Sequence, residues 1–232
     1  MKKYFEKYET LISILLIIIY IISNSYCMQN YGITDYRSSL CNFILALIII
    51  IFILKNNLGK YYGLTTLPPP KKYLYFIPLL LIVSVNLWNG ININNSKSEI
   101  IFHILTMVGV GFLEEIIFRG FLFKMMAKDN LNRAIIVSSL TFGIGHIINL
   151  FNGQDLIPTI IQVCYAIAGG FLFTTIFEKS KSIWPCIIAH IIINSLSIFN
   201  VENITSLYIA PIFLIIVSIT YILYIRKYVN NN

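Results

Sequence analysis

Long apolar runs, each broken by a short cluster of charged or turn-forming residues, recur from end to end of this 232-residue chain. A hydrocarbon layer about 30 Å thick takes roughly 20 apolar residues of helix to cross. Eight runs approach that length, some of them short: near 10–26, 39–54, 73–89, 100–125, 133–151, 157–177, 182–199 and 206–225. Only 12% of the residues are charged and 57% are hydrophobic, whereas a soluble globular chain carries about 25% charged residues. The expected fold is all-α, a polytopic membrane helix bundle of about eight transmembrane helices. Its connections are short and polar, so neighbouring helices should pack antiparallel, and residues 1–232 read as a single membrane domain with no linker for a second one.

The basic residues orient this bundle, because cytoplasmic loops hold the excess of Lys and Arg. With both termini cytoplasmic, the inner side collects Lys2, Lys3, Lys7, Lys55, Lys60, Lys71, Lys72, Lys124, Lys128, Arg133, Lys179, Lys181, Arg226 and Lys227. Arg37 and Lys97 fall outside, and Arg119 lies within a span, which accounts for all 17 basic residues. The formal charge of +7 is therefore a topology signal. The basic residues form no aromatic-interleaved patch, so no nucleic-acid partner is expected; the partners are the lipid bilayer and a membrane-associated substrate. Lys2, Lys3 and Lys7 ahead of an apolar core also suit a signal peptide, but the run outlasts a usual signal core, and its retention as a first helix is expected.

Other features read as structure. The prolines at 68–70 mark the entry to the third span. Gly109, Gly111, Gly143, Gly145, Gly169 and Gly170 allow helices to approach closely. Cys164 and Cys186 are expected to pack as small apolar residues. Cys27 and Cys41 both approach the outer face, where a disulfide is possible but not required by spacing. His103, with no motif around it, is expected to be a hydrogen-bonded core residue.

Ionisable residues inside such runs need a functional account, since a charged side chain at bilayer depth costs about 2.5–3.5 kcal/mol even on insertion scales. Glu114 and Glu115 are adjacent in the fourth run, His146 lies in the fifth and His190 in the seventh. Glu115 and Arg119 are four apart and share a helix face, which predicts an ion pair. Glu114 points about 100° away and has Phe118 at the corresponding place, so it is the freer carboxylate and the better base. Phe142 pairs with His146, and His190 with Asn194, at the same four-residue spacing. At 1.5 Å per residue, Glu114 is about 15 Å from Lys124, His146 about 20 Å from Arg133, and His190 and Asn194 about 12 and 18 Å from Ser182. Three helices can thus bring these groups into one layer.

Glu-Glu-x-x-x-Arg, Phe-x-x-x-His and His-x-x-x-Asn, in that order on nearly successive membrane helices, resemble the CPBP family. Its members are CAAX protease and bacteriocin-processing intramembrane proteases, related to the type II CAAX prenyl endopeptidases. The resemblance covers residues 100–199 as a catalytic core, and every signature position is intact. It implies a peptide-hydrolysing enzyme in which Glu114 activates water, His146 helps to bind and orient it, and His190 and Asn194 stabilise the oxyanion. Glu115, Arg119 and Phe142 would support that site. The family's naming favours a metalloprotease, and Glu114, His146 and His190 make a chemically suitable zinc set, although the chain has no HExxH and the same side chains can act without metal.

A noncatalytic partner on the same fold, such as a bacteriocin immunity or scaffold protein, is the alternative; a proton-coupled transporter is a third reading. The latter lacks paired, Gly/Pro-broken helices in two matching halves. The abundance of Ile, Asn, Lys and Tyr suits an AT-rich prokaryotic genome, hence a multi-pass plasma-membrane protein acting on a peptide or membrane-protein substrate.

Overall fold

The computed structural model describes residues 2–66 and 76–229, with residues 2–6 as backbone alone. The described residues form helices and turns, with no strand. In chain order the helices are α1 (Lys2–Tyr31), α2 (Tyr36–Lys55), α3 (Leu79–Val83), α4 (Lys97–Glu115), α5 (Lys124–Met126), α6 (Leu131–Gly145), α7 (Leu156–Ser180), α8 (Trp184–Leu196) and α9 (Ala210–Tyr228). A π-helical stretch, Ile116–Phe123, joins α4 to α5, and 3-10 turns extend α6 and α8.

Six of these units are long and apolar enough to cross a membrane: Lys7–Tyr31, Tyr36–Lys55, Lys97–Met126, Leu131–Leu150, Leu156–Ser180 and Thr205–Tyr228. Trp184–Phe199 is a shorter apolar helix. The molecule is a multi-pass membrane protein, and its surface agrees. Ile14, Ile18 and Ile22 on α1, Leu47 and Ile48 on α2, and Ile212, Ile216 and Ile219 on α9 all face outward. Such apolar exteriors suit lipid and would be an aggregation hazard in water.

The third expected span, 73–89, differs from expectation. It opens on residues outside the described set, as do the prolines at 68–70, and its described part is only α3 followed by the 3-10 turn Val85–Leu87. Described residues on either side of the undescribed ones nevertheless contact α8 along its length. Ile183 N–H donates to Gly63 O at 3.2 Å at one end, Asn86 Nδ2 to Ile193 O at 2.6 Å midway, and Asn92 N–H to Phe199 O at 2.8 Å at the other. A broken segment serves where a long helix was expected, since polar contacts with α8 replace regular helical hydrogen bonds.

Caps set several helix ends. Asp35 accepts from Arg37 N–H to start α2, Ser96 and Glu99 form a capping box at α4, and Asn130 accepts from Arg133 N–H at α6. Each such cap is worth about 1 kcal/mol. The Arg37 guanidinium also hydrogen bonds the partly exposed Asp35 carboxylate and holds its pKa down at about 2. Lys181 adopts the left-handed conformation that stops α7.

One end of the bundle is basic. Lys128 pairs with Glu9, whose other oxygen accepts from Tyr61, and Tyr61 also reaches the Lys124 carbonyl. Lys60 and Lys181 lie with Lys124 around a shallow recess there. The buried core lies between, and glycine brings its helices together. A Cβ on Gly111 would stand 2.7 Å from Ile191 Cγ1 and 3.1 Å from its nitrogen, so α4 and α8 are in backbone contact. Gly145 and Gly169 behave otherwise: nothing lies within 4 Å of an added Cβ, because both face a cavity. The cysteines likewise divide. Cys186 is buried as expected, Cys164 is on the outside of α7, and Cys27 and Cys41 are both free thiols.

Candidate active site

The two glutamates end the regular part of α4. Directly after Glu115 the helix widens into the π-helical stretch Ile116–Phe123, every residue of which is buried. A regular α-helix over 100–125 does not allow for this change. Widening loosens the usual i to i−4 ladder and is a recurrent feature of functional sites. Ser138 on α6 compensates, its hydroxyl donating to Phe118 O at 2.9 Å.

Glu115 and Arg119 form the expected ion pair, Nη1 to Oε1 at 3.1 Å, with both side chains fully buried. The guanidinium lies 4.1 Å from the Phe142 ring centroid, with Phe173 at 5.7 Å. Phe142 also stands edge-on to His146 at 5.1 Å and to His190 at 5.8 Å between centroids. A buried charge pair is retained only where further partners satisfy it. Glu115 Oε1 has one in His190, whose Nδ1 lies 2.8 Å away.

His190 links the two acids. With Nδ1 donating to Glu115, its Nε2 faces Glu114 Oε2 at 3.4 Å. Glu114 is held from the other side by Tyr20 of α1, whose hydroxyl donates to Oε1 at 2.6 Å. Its Oε2 is buried without a hydrogen-bond partner among the described residues. An orphaned carboxylate oxygen costs about 1–3 kcal/mol or more, so its survival beside a cavity is a functional signal.

That cavity measures about 370 Å³ and is lined by Glu114, His146, His190 and Asn194 together. The four groups expected from three helices thus converge on one hollow. His146 Nδ1 lies 3.0 Å from the Phe142 carbonyl; a carbonyl only accepts, so Nδ1 carries a proton, and in the neutral ring Nε2 keeps its lone pair. The Asn194 carbonyl accepts from His103 Nε2 at 3.1 Å, and Ser197 Oγ is 3.2 Å from the same nitrogen. His103 is the hydrogen-bonded core residue expected.

The expected zinc set is another matter. Among the described residues no three His, Cys, Asp or Glu side chains stand close enough to hold a metal ion. Glu114 and His190 are adjacent, but His146 does not join them in a ligating cluster.

Several polar residues of the site belong to no motif in the sequence. Tyr20 is one of 15 tyrosines in a chain of this composition, and nothing local marks it. Asn24, Asn86 and Gln162, all lining the cavity, are amides inside apolar runs, and that placement was the available signal. Residues 96–196 match the family model described as type II CAAX prenyl endopeptidase Rce1-like. The match spans α4 to α8 and leaves α1, α2 and α9 outside. Neither the curated proteins nor the solved structures gave a match.

Proposed function

We propose that this chain, residues 96–196 of which match the type II CAAX prenyl endopeptidase Rce1-like family model, is an endopeptidase of the CPBP/CAAX type whose Glu114 activates water inside the membrane. The observation that carries the reading is Glu114 itself: one oxygen held by Tyr20, the other buried, unpartnered and beside His190 at the cavity wall. A water on Oε2 would lose a proton to it while its oxygen attacks the peptide carbonyl carbon. His190, held through Nδ1 by Glu115, would in its doubly protonated form present Nε2–H to the developing oxyanion, and the Asn194 amide adds a second donor. One preorganised donor of this kind is worth about 3–4 kcal/mol. The proton then passes from Glu114 to the departing amine nitrogen as the C–N bond breaks, which restores the carboxylate.

His146, with Nδ1 committed to its own helix, offers Nε2 to the water as an acceptor. Arg119 and Glu115 act through His190 rather than on the substrate. A zinc ion on Glu114, His146 and His190 would supply a Lewis acid at the same position, at the cost of drawing the three donors together. The cellular setting we propose is a prokaryotic plasma membrane, with a peptide or membrane-protein substrate of the sort processed in bacteriocin maturation.

The test is hydrolysis of a quenched-fluorescent peptide library by the purified chain in detergent, beside Glu114→Ala and His190→Ala. Wild-type cleavage that falls to background in both variants supports the reading. Equal product from the variants removes these residues from the mechanism, and no product from any of them favours a noncatalytic partner.

A further inference from the structure

The basic end of the bundle encloses a further hollow, of about 230 Å³, separate from the one beside Glu114. Lys60, Lys124 and Lys181 stand around it, each from a different part of the chain. Lys60 lies in the turn after α2, Lys124 near the end of the membrane-crossing unit Lys97–Met126, and Lys181 directly after the unit Leu156–Ser180. All three sit where spans stop, which is the depth of lipid headgroups.

The walls of this hollow are fixed. Gly63 has φ +72°, and a Cβ there would stand 2.7 Å from both the Lys181 carbonyl oxygen and Phe177 Cε2, so only glycine lets the turn after α2 close on the end of α7. Ile183 N–H donates to Gly63 O at 3.2 Å and Trp184 Nε1 to Leu64 O at 2.7 Å, which holds the same two segments together. Phe123 and Phe177 supply apolar lining, edge to face with ring centroids 5.8 Å apart.

Positive charge is left over on these walls. Glu178 is the one carboxylate among the described lining residues, with Oε1 3.6 Å from Lys181 Nζ and Oε2 3.8 Å from Lys179 Nζ. Three lysines against one carboxylate leave two positive charges. Lys60 and Lys124 have no ion pair among the described residues: Lys124 Nζ lies over the Tyr61 ring at 4.8 Å, and Glu9 nearby is taken by Lys128. Like charges gathered without a counter-ion repel, and an anion placed between them offsets that repulsion. A phosphate group is such an anion, with oxygens that accept from ammonium groups and hydroxyls alike, and Thr66 adds a hydroxyl to the lining. Basic pockets between membrane helices are where anionic headgroups bind.

We propose that this recess is a headgroup site for an anionic phospholipid, whose phosphate is held between Lys60, Lys124 and Lys181 and so ties the turn after α2 to the ends of two spans. The site stands apart from Glu114 and does not depend on hydrolysis.

The test is native mass spectrometry of the purified chain from detergent micelles doped equally with phosphatidylglycerol and phosphatidylcholine. Phosphatidylglycerol is expected to be retained in preference, and Lys60→Gln and Lys181→Gln each to lower that retention by about 5-fold, the factor one lysine contributes beside an anionic headgroup. Lys7→Gln removes the same charge outside the recess and should leave retention unchanged. Lys60 is exposed in a turn, so its replacement should spare the fold, and the melting temperature in phosphatidylcholine alone checks this. Equal retention of the two lipids, or an equal loss in Lys7→Gln, overturns the proposal. Inorganic phosphate is the remaining arm. If it raises the melting temperature in phosphatidylcholine nanodiscs through Lys60 while phosphatidylglycerol is not retained, the recess takes free phosphate and the lipid assignment falls.

Discussion

The Tyr20 hydroxyl donates to Glu114 Oε1 at 2.6 Å, so a helix outside the family-matched segment holds the candidate base. Tyr20 is itself buried, and with Oε1 occupied, the carboxylate keeps Oε2 free of hydrogen bonds beside His190. Hydrogen bonds to charged groups are worth about 1.5–3 kcal/mol, so Tyr20→Phe should lower kcat by about 10- to 100-fold while KM changes little. Steady-state kinetics on one library peptide checks this, and a change confined to KM would place Tyr20 in substrate binding.

Glu114→Gln keeps the volume of the side chain and removes the base. A general base contributes about 100- to 10,000-fold, and hydrolysis should fall by that factor with the thermal transition in detergent kept or raised, since a carboxylate no longer sits at depth. Rates retained within 10-fold would move the base elsewhere.

Arg119 answers to packing as well as charge. Removing one partner of a buried pair costs about 3–5 kcal/mol, so Arg119→Met should lower the melting temperature and leave Glu115 uncompensated. Arg119→Lys should not rescue it, because a compact ammonium cannot reproduce the guanidinium stacked 4.1 Å from the Phe142 centroid. Differential scanning fluorimetry of the three proteins reads the outcome directly.

Gly169 lines the cavity with free space beyond an added Cβ. Gly169→Leu should therefore fold with an unchanged melting temperature, yet raise KM or abolish turnover by filling the hollow. Gly111→Leu, set against Ile191 at 2.7 Å, should instead fail to assemble α4 on α8, and detergent-extracted yield separates the two behaviours.

Glutamate and histidine acting alone predict that exhaustive dialysis against a chelator leaves turnover unchanged. Zinc at one equivalent per chain by elemental analysis, with activity lost on chelation and restored by zinc, would assign Glu114, His146 and His190 as its ligands.

The helices and the identities of the site residues were legible in the chain because both follow from local rules. Lipid admits helices whose apolar stretches match its thickness, so the runs at 39–54 and 157–177 read directly as α2 (Tyr36–Lys55) and α7 (Leu156–Ser180). Four-residue spacing alone joined Glu115 to Arg119, and ionisable groups in apolar runs singled out Glu114, His146 and His190. Tertiary packing decided what local rules do not encode. Tyr20 reaches Glu114 across 94 positions, His190 chooses Glu115 as well as Glu114, and the described residues from α3 onward break their helix where Asn86 meets α8. Whether Gly145 and Gly169 join helices or leave a hollow also depends on what stands opposite them. Hydrophobic periodicity records how much a residue avoids water, but the partner it meets and the space it leaves are properties of the assembled bundle.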